Sequence, residues 1–151
     1  MATNNSVNNR LSSQTGTGSF VGGTAPTITL PFINNTLDGY TSTATAAGTT
    51  VLDVNSTYRQ TFTGTSNQIV TMPVTSTLTQ GQAYTIINTS TGTITVNSSG
   101  GNLIVSVGPS TSALVVCILT SGTTAASWYT NYSGQYIQTL GINFDFLLMG
   151  G

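Results

Sequence analysis

The chain has 151 residues, and only 3% of them are charged: two Arg and three Asp, with no His. So few cations argue against binding to nucleic acid or to an anionic membrane, because phosphate groups are bound by clusters of Lys or Arg. Without His, and with three widely spaced Asp, the sequence offers no histidine acid–base chemistry and no transition-metal site. We therefore expect a protein that is not an enzyme and needs no cofactor.

The low charge also predicts self-association. Soluble domains usually carry about 25% charged residues, which help to keep copies apart. Here Thr, Ser and Asn solvate the surface instead. Because little like-charge repulsion opposes contact between copies, assembly is the natural interpretation.

Residues 1–31 are predicted to form an extended attachment arm. Gly and Pro recur too often for a helix or strand to continue, and the hydrophobic residues are too sparse for a core. A disordered tail is the alternative, and composition alone does not choose between them. In an arm that orders on a partner, the scattered hydrophobic side chains are the anchors; they are Val7, Leu11, Phe20, Val21, Ile28 and Leu30.

Residues 32–48 are predicted to be a linker and residues 49–134 a β domain. In the domain, short runs of alternating apolar and polar residues are separated by clusters of Gly, Asn and Ser about every eight to twelve residues. This pattern is typical of strands joined by tight turns. About eight strands are predicted, and this pattern favours an all-β fold: an antiparallel β-sandwich of jelly-roll type or a small barrel. The predicted strands cover residues 50–54, 58–63, 68–72, 83–88, 93–97, 103–107, 113–119 and 127–132.

Several local features refine this prediction. Asp53 and Arg59 flank a predicted turn and are candidates for an ion pair, while Gly92 is the expected left-handed residue of a hairpin loop over 88–92. The run 113–119 is apolar without interruption, which predicts a central strand covered on both faces. Cys117 lies inside this run and is predicted to be a small buried hydrophobic residue.

Residues 135–151 are predicted to be an apolar C-terminal tail that lies at a subunit interface. Such a segment is too apolar for a free solvated end. It is either a last strand packed on its own domain or a plug into a neighbouring subunit, and we favour the neighbour. The interface candidates are its hydrophobic residues Tyr136, Ile137, Leu140, Ile142, Phe144, Phe146, Leu147 and Leu148.

The aromatic residues raise the possibility of a sugar-binding surface. An adhesin needs at least two rings on one open surface, whereas a scaffold buries them in cores and interfaces, which is the commoner use. Hydrolysis by a carboxylate pair, Asp38 and Asp53, is a weaker possibility. The aromatic candidates are Tyr40, Tyr58, Tyr84, Tyr129, Tyr132, Tyr136 and Trp128.

Two stretches resemble a known family. The region 68–128, with IVTMP, LTQGQAYTIINTSTGTITVNSSGGN, a GPS turn and a hydrophobic strand before AASW, resembles a module of bacteriophage tail-fibre and related virion proteins. The leader ATNNSVNNRLSSQTGTGSFVGGTAPT resembles the start of phage and prophage tail-fibre proteins. The resemblance implies a β-rich homotrimer whose N-terminal arm docks on the particle. Typical fibres continue for hundreds of residues into a receptor-binding tip, so a short fibre, adaptor or decoration protein is equally plausible here.

The sequence therefore predicts a non-enzymatic phage virion structural protein. It would be a short trimeric fibre, spike or fibre adaptor, docked by its arm on capsid, portal, neck or tail proteins. The alternatives are a capsid decoration or cement protein that bridges capsid subunits, and a glycan-binding adhesin domain that takes a host glycan. The N-terminus has no secretory pattern and no apolar run reaches membrane-spanning length, so we expect assembly in the host cytoplasm, location in the virion and no membrane partner.

Overall fold

The computed structural model describes residues 34–134, and from Leu37 onward these residues belong to one compact unit. This part of the chain is all-β, with two short 3-10 helices at Thr75–Thr77 and Ala125–Ser127. The strands are β1 (Tyr40–Ala44), β2 (Thr49–Val51), β3 (Arg59–Thr63), β4 (Gln68–Thr71), β5 (Ala83–Asn88), β6 (Ile94–Asn97), β7 (Leu103–Val107), β8 (Thr111–Cys117) and β9 (Trp128–Ser133).

The strands form two mixed sheets. Sheet A has the order β1-β3-β5-β8-β9, and sheet B has the order β2-β4-β6-β7. From β1 to β6 the chain alternates between the sheets, and each strand from β3 onward pairs in parallel with the strand two before it. The chain thus makes three coils, each adding one strand to both sheets, before β7, β8 and β9 pair antiparallel to their neighbours.

The predicted antiparallel pairing is therefore wrong for much of the fold. In the described residues it holds for β5–β8, β6–β7 and β8–β9, while the other four pairings are parallel. From β1 to β6, strands that follow each other in sequence lie in different sheets, so the predicted hairpin between β5 and β6 is a crossing between sheets. Strands β6 and β7 do form an antiparallel hairpin. Each coil supplies the long return path that parallel neighbours require. The alternative of a small barrel is not found over residues 34–134, because the sheets stay separate and unclosed.

Strand β1 lies in the range 32–48 that the sequence analysis predicted as a linker. It pairs in parallel with β3 over its whole length, from Tyr40 opposite Arg59 to Ala44 opposite Thr63. Its sequence, YTSTA, is polar and mostly exposed, so it carries no hydrophobic alternation. Backbone pairing with β3 makes this segment a strand, which the sequence pattern could not indicate.

One hydrophobic core draws on both sheets. Inward positions of β5 and β8 are buried in alternation, as is expected for strands with one face packed. The prediction that Cys117 is a buried hydrophobic residue is confirmed, since its side chain has no exposed surface. The buried cluster consists of Leu52, Phe62, Val70, Met72, Leu78, Tyr84, Ile86, Ile94, Val96, Val107, Ala113, Val115, Cys117 and Trp128.

The crossing from β5 to β6 is organised by the buried amide of Asn88. Its Nδ2 donates to the carbonyl oxygens of Gly92, at 2.8 Å, and of Val107 in sheet B, at 2.9 Å. Its Oδ1 accepts from the backbone N–H of Ser90, at 2.9 Å, and from the Ser90 hydroxyl, at 2.6 Å. The Asn88 side chain of sheet A thus supplies hydrogen-bond partners for the backbone of the crossing and links the crossing to sheet B.

Gly92 is required at this crossing by close approach of the backbone. A Cβ there would lie 2.2 Å from the carbonyl oxygen of Ser66 and 2.7 Å from the backbone nitrogen of Asn67. These residues belong to the crossing of the preceding coil, from β3 to β4. The prediction that Gly92 is left-handed is wrong, since the positive-φ glycines of the described region are Gly64, Gly81, Gly101 and Gly122.

We expect Asn88→Ala to destabilise the fold by about 3 kcal/mol, because it leaves buried donors and acceptors of the crossing without partners. Chemical denaturation measures the free energy of unfolding. Asn55→Ala, at an exposed asparagine, is the matched control and should change stability by less than about 0.5 kcal/mol. Equal losses for the two variants would contradict the role given to Asn88.

We expect Gly92→Ala to destabilise the fold by about 2 kcal/mol or more, because the two stacked crossings must move apart. Gly48→Ala is the control: a Cβ there meets only the Nε2 atom of Gln68, at 4.0 Å. Thermal unfolding of both variants tests the close approach. A melting temperature for Gly92→Ala equal to that of Gly48→Ala would show that the crossings are not in contact.

Candidate interaction surface

The outer face of sheet A carries a continuous group of apolar side chains. The register places Val116 between Ala83 and Tyr129, and Leu114 between Thr85 and Asn131. We define the outer stripe as Ile87, Leu114, Val116 and Tyr129, which come from the neighbouring strands β5, β8 and β9. The first three are half-buried, and Tyr129 is 55% exposed. None of the four is charged.

Strand β8 explains why the stripe is apolar. Its inward residues Ala113, Val115 and Cys117 are fully buried, while the outward residues Leu114 and Val116 are half-buried. The sequence predicted cover on both faces, and in the described residues the core covers only one. A solvated outer sheet face is usually polar, so this face has the composition of a surface that is covered.

Thr61 lies beside the stripe and is more buried than an open face would allow. It points outward between Ser42 and Ile87 in the register, yet it is only 6% exposed. Within the described part of the chain its Oγ1 has no hydrogen-bond partner. A buried hydroxyl without a partner costs about 1–3 kcal/mol.

A hollow of about 290 Å³ lies at the same end of the face. It forms beside Ile87 because the residues next to Ile87 in the register are small: Ser112 on β8 and then Ser133 on β9. Its lining is uncharged and rich in hydroxyl groups, so the hollow has room for an additional side chain next to the stripe. The lining residues are Ile87, Asn88, Thr89, Ser110, Thr111, Ser112 and Ser133.

The outer face of sheet B is different. Its exposed apolar residues Val51, Ile69 and Leu103 are interrupted by polar neighbours. Ile69, for example, lies between Thr49 and Thr95 in the register. Isolated exposed hydrophobic residues are normal on a protein surface, so sheet A carries the better candidate for an interface.

Arg59 lies on the same outer face as the stripe, in the register row of Leu114, with Thr85 between them. Arg59 pairs with Asp38, with its Nη2 2.8 Å and its Nε 3.0 Å from Asp38 Oδ2. The predicted pair with Asp53 is wrong, because the Asp53 carboxylate accepts from the backbone N–H of Asn55 at 2.8 Å and stabilises its own turn. The exposed Arg59–Asp38 pair contributes at most about 1 kcal/mol.

Residues 34–134 contain no group of three or more His, Cys, Asp or Glu side chains that could hold a metal ion. Asp38 and Asp53, the candidate carboxylate pair, are engaged in the separate contacts described above. Across the same residues, no helix is long and apolar enough to cross a membrane.

The aromatic side chains divide between core and surface. Trp128 and Tyr84 are buried, whereas Tyr40, Tyr129 and Tyr132 are about half exposed. On β9, Tyr129 and Tyr132 point to opposite sides of the sheet, because their positions differ by three. Tyr40 shares the outer face with Tyr129, but they occupy the two opposite edge strands of sheet A, about 19 Å apart at the usual strand spacing. These rings do not form the adjacent pair that one sugar would contact.

Two buried groups have shifted pKa values. Burial raises the pKa of the Tyr84 phenol, a hydrogen bond from Gln82 lowers it, and the charge of Asp53 raises it further; the net shift is upward. Burial also raises the pKa of the Cys117 thiol, partly offset by its hydrogen bond to the Leu119 carbonyl. Both groups are held neutral, and the buried thiol is a poor nucleophile.

The predicted anchors of the arm, Val7 to Leu30, and the predicted interface residues of the tail, Tyr136 to Leu148, lie outside the described residues. The outer stripe is a functional candidate that sequence analysis did not assign, although the unbroken apolar run over 113–119 was its signal. Comparison with protein-family models, with curated proteins and with solved structures finds no match to this chain.

We expect the melting temperature to fall as the pH rises above about 10, the ordinary pKa of tyrosine. The pKa of Tyr84 is higher in the folded state, so its contribution to stability is fully present below the unfolded pKa and is lost as the pH rises through the folded pKa. Tyr84→Phe should reduce this fall, because it removes the buried phenol. Identical melting curves against pH for the wild type and Tyr84→Phe would contradict the assignment.

Proposed function

We propose that this protein is a non-enzymatic structural protein of a phage virion. It acts as a short trimeric fibre, spike or fibre adaptor, docked on the particle by residues 1–31. The observation that carries the proposal is the uncharged outer stripe on sheet A, next to an edge strand. The resemblance of the leader and of the region 68–128 to tail-fibre proteins points to the same class.

The chemistry of the outer stripe favours contact with another copy. Burying apolar surface contributes about 25 cal/mol for each Å² removed from water. Burying unpaired charges would cost several kcal/mol each, and no stripe residue is charged. Contact through the stripe therefore gains the free energy of burying apolar surface without the cost of burying an unpaired charge.

The sheet edges support assembly as well. Strand β9 is a six-residue edge strand of sheet A in the described part of the chain, and its sequence, WYTNYS, has neither a charged residue nor Pro. Charged residues and Pro are the usual features that keep an edge strand from pairing with other chains. A closed trimer would cover such an edge in a defined way, because each copy would use one surface to receive its neighbour.

In this proposal the two mixed sheets are the layers of a β-sandwich, a view supported by the single core shared by Phe62 of sheet A and Val70 of sheet B. The arm binds capsid, portal, neck or tail proteins, and the protein is assembled into the virion in the host cytoplasm. The tail, residues 135–151, serves at the subunit interface.

A capsid decoration protein is the second candidate, because the same uncharged stripe could cover a capsid subunit instead of a copy of itself. A glycan-binding adhesin is third, supported by the hydroxyl-rich hollow near Tyr132, whose phenol donates to Thr111 Oγ1 at 2.9 Å.

The test is the mass in solution of the full chain and of a version that lacks residues 1–31. We expect both to be trimers, because the self-contact is assigned to the β domain and the arm to docking. Light scattering coupled to size-exclusion chromatography gives the mass without assumptions about shape.

A monomer in both cases would overturn the trimer and favour the decoration protein. A trimer that dissociates when residues 1–31 are removed would move the self-contact from the β domain to the arm. A full-length trimer that binds glycans would favour the adhesin.

A further inference from the structure

We propose that the outer face of sheet A is the docking surface for residues 135–151 of a neighbouring copy. The inference rests on the proposed function, which supplies the neighbouring copy, and it identifies the surface that receives the tail. Two features of this face converge: the half-buried outer stripe and the hollow beside Ile87.

The sequence of the tail matches this surface in chemistry. Within GINFDFLLM, Ile142, Phe144, Phe146 and Leu148 alternate with other residues. A period of two presents one apolar side in an extended segment. That side would pack along the stripe, and one large side chain would fill the hollow.

The tail is long enough for this role. Fully extended, residues 135–151 reach up to about 55 Å. The five strands of sheet A extend over only about 19 Å from β1 to β9 at the usual spacing between strands. The segment can therefore leave one copy and still cross the outer face of the next.

A disulfide between two differently tagged chains tests the proposal. One chain carries Leu114→Cys on the outer stripe and the other carries Phe144→Cys in the tail, and they are co-expressed and then oxidised. A disulfide requires the two Cα atoms to approach within about 7 Å. Cys117 stays in both chains, because it is fully buried. Non-reducing gels and mass spectrometry identify which cysteines have joined.

Ile69→Cys paired with Phe144→Cys is the matched control, since Ile69 is 40% exposed on the outer face of sheet B. We expect the Leu114→Cys pair to give several-fold more interchain disulfide than this control. Asp145→Cys replaces Phe144→Cys in a second set, because adjacent residues of an extended segment point to opposite sides.

Equal yields from the two faces, with both tail variants, would overturn the inference. It would also be overturned if the doubly substituted chain, Leu114→Cys with Phe144→Cys, formed its disulfide only within one chain at every concentration. If the mass measurement gives a trimer and the disulfide does not form, this inference fails while the proposed function stands. A monomeric mass removes the proposed trimer and this inference together.

Discussion

Buried amide side chains at the crossings between the two sheets hold this fold together. At these points the backbone leaves the hydrogen-bond ladder of one sheet before it enters that of the other. Its N–H and C=O groups therefore need other hydrogen-bond partners. An amide supplies both donors and an acceptor. Asn88 does this between β5 and β6, and Gln68 of β4 does it for the crossing from β1 to β2, where its Oε1 accepts from the backbone N–H of Ala46 at 3.1 Å and of Gly48 at 3.2 Å. The parallel stacking of coils depends on these contacts.

Because the coils are stacked through their crossings, the core lies between the sheets and the outer faces are left for other uses. Sheet B has an outer face of ordinary character, with Ile69 set among threonines. Sheet A instead places Val116 directly beside Tyr129 and carries Leu114 and Ile87 on the neighbouring strands β8 and β5. In a chain with so few charges, this difference makes sheet A the surface on which contact with another protein gains the most free energy.

The positions of the strands were largely predictable, because alternation of apolar and polar residues is a local signal. Strands β5 and β7 were predicted with the bounds that the structure has, and β8 was displaced by two residues at each end. Strand β1 was missed because YTSTA has no such alternation. The left-handed assignment of Gly92 failed for a different reason: its role depends on Ser66, which belongs to another coil.

By itself the sequence determined where most strands of residues 34–134 form, that this region is all-β and that Cys117 is buried. Tertiary structure alone decided which strands pair, in which direction, and that Arg59 binds Asp38 instead of Asp53. It also assembled the outer stripe from β5, β8 and β9. The physical reason is that a strand with one buried face has the same periodicity in a parallel or an antiparallel sheet. Partners are chosen by the path of the chain at each crossing, where backbone contacts between distant residues set the geometry.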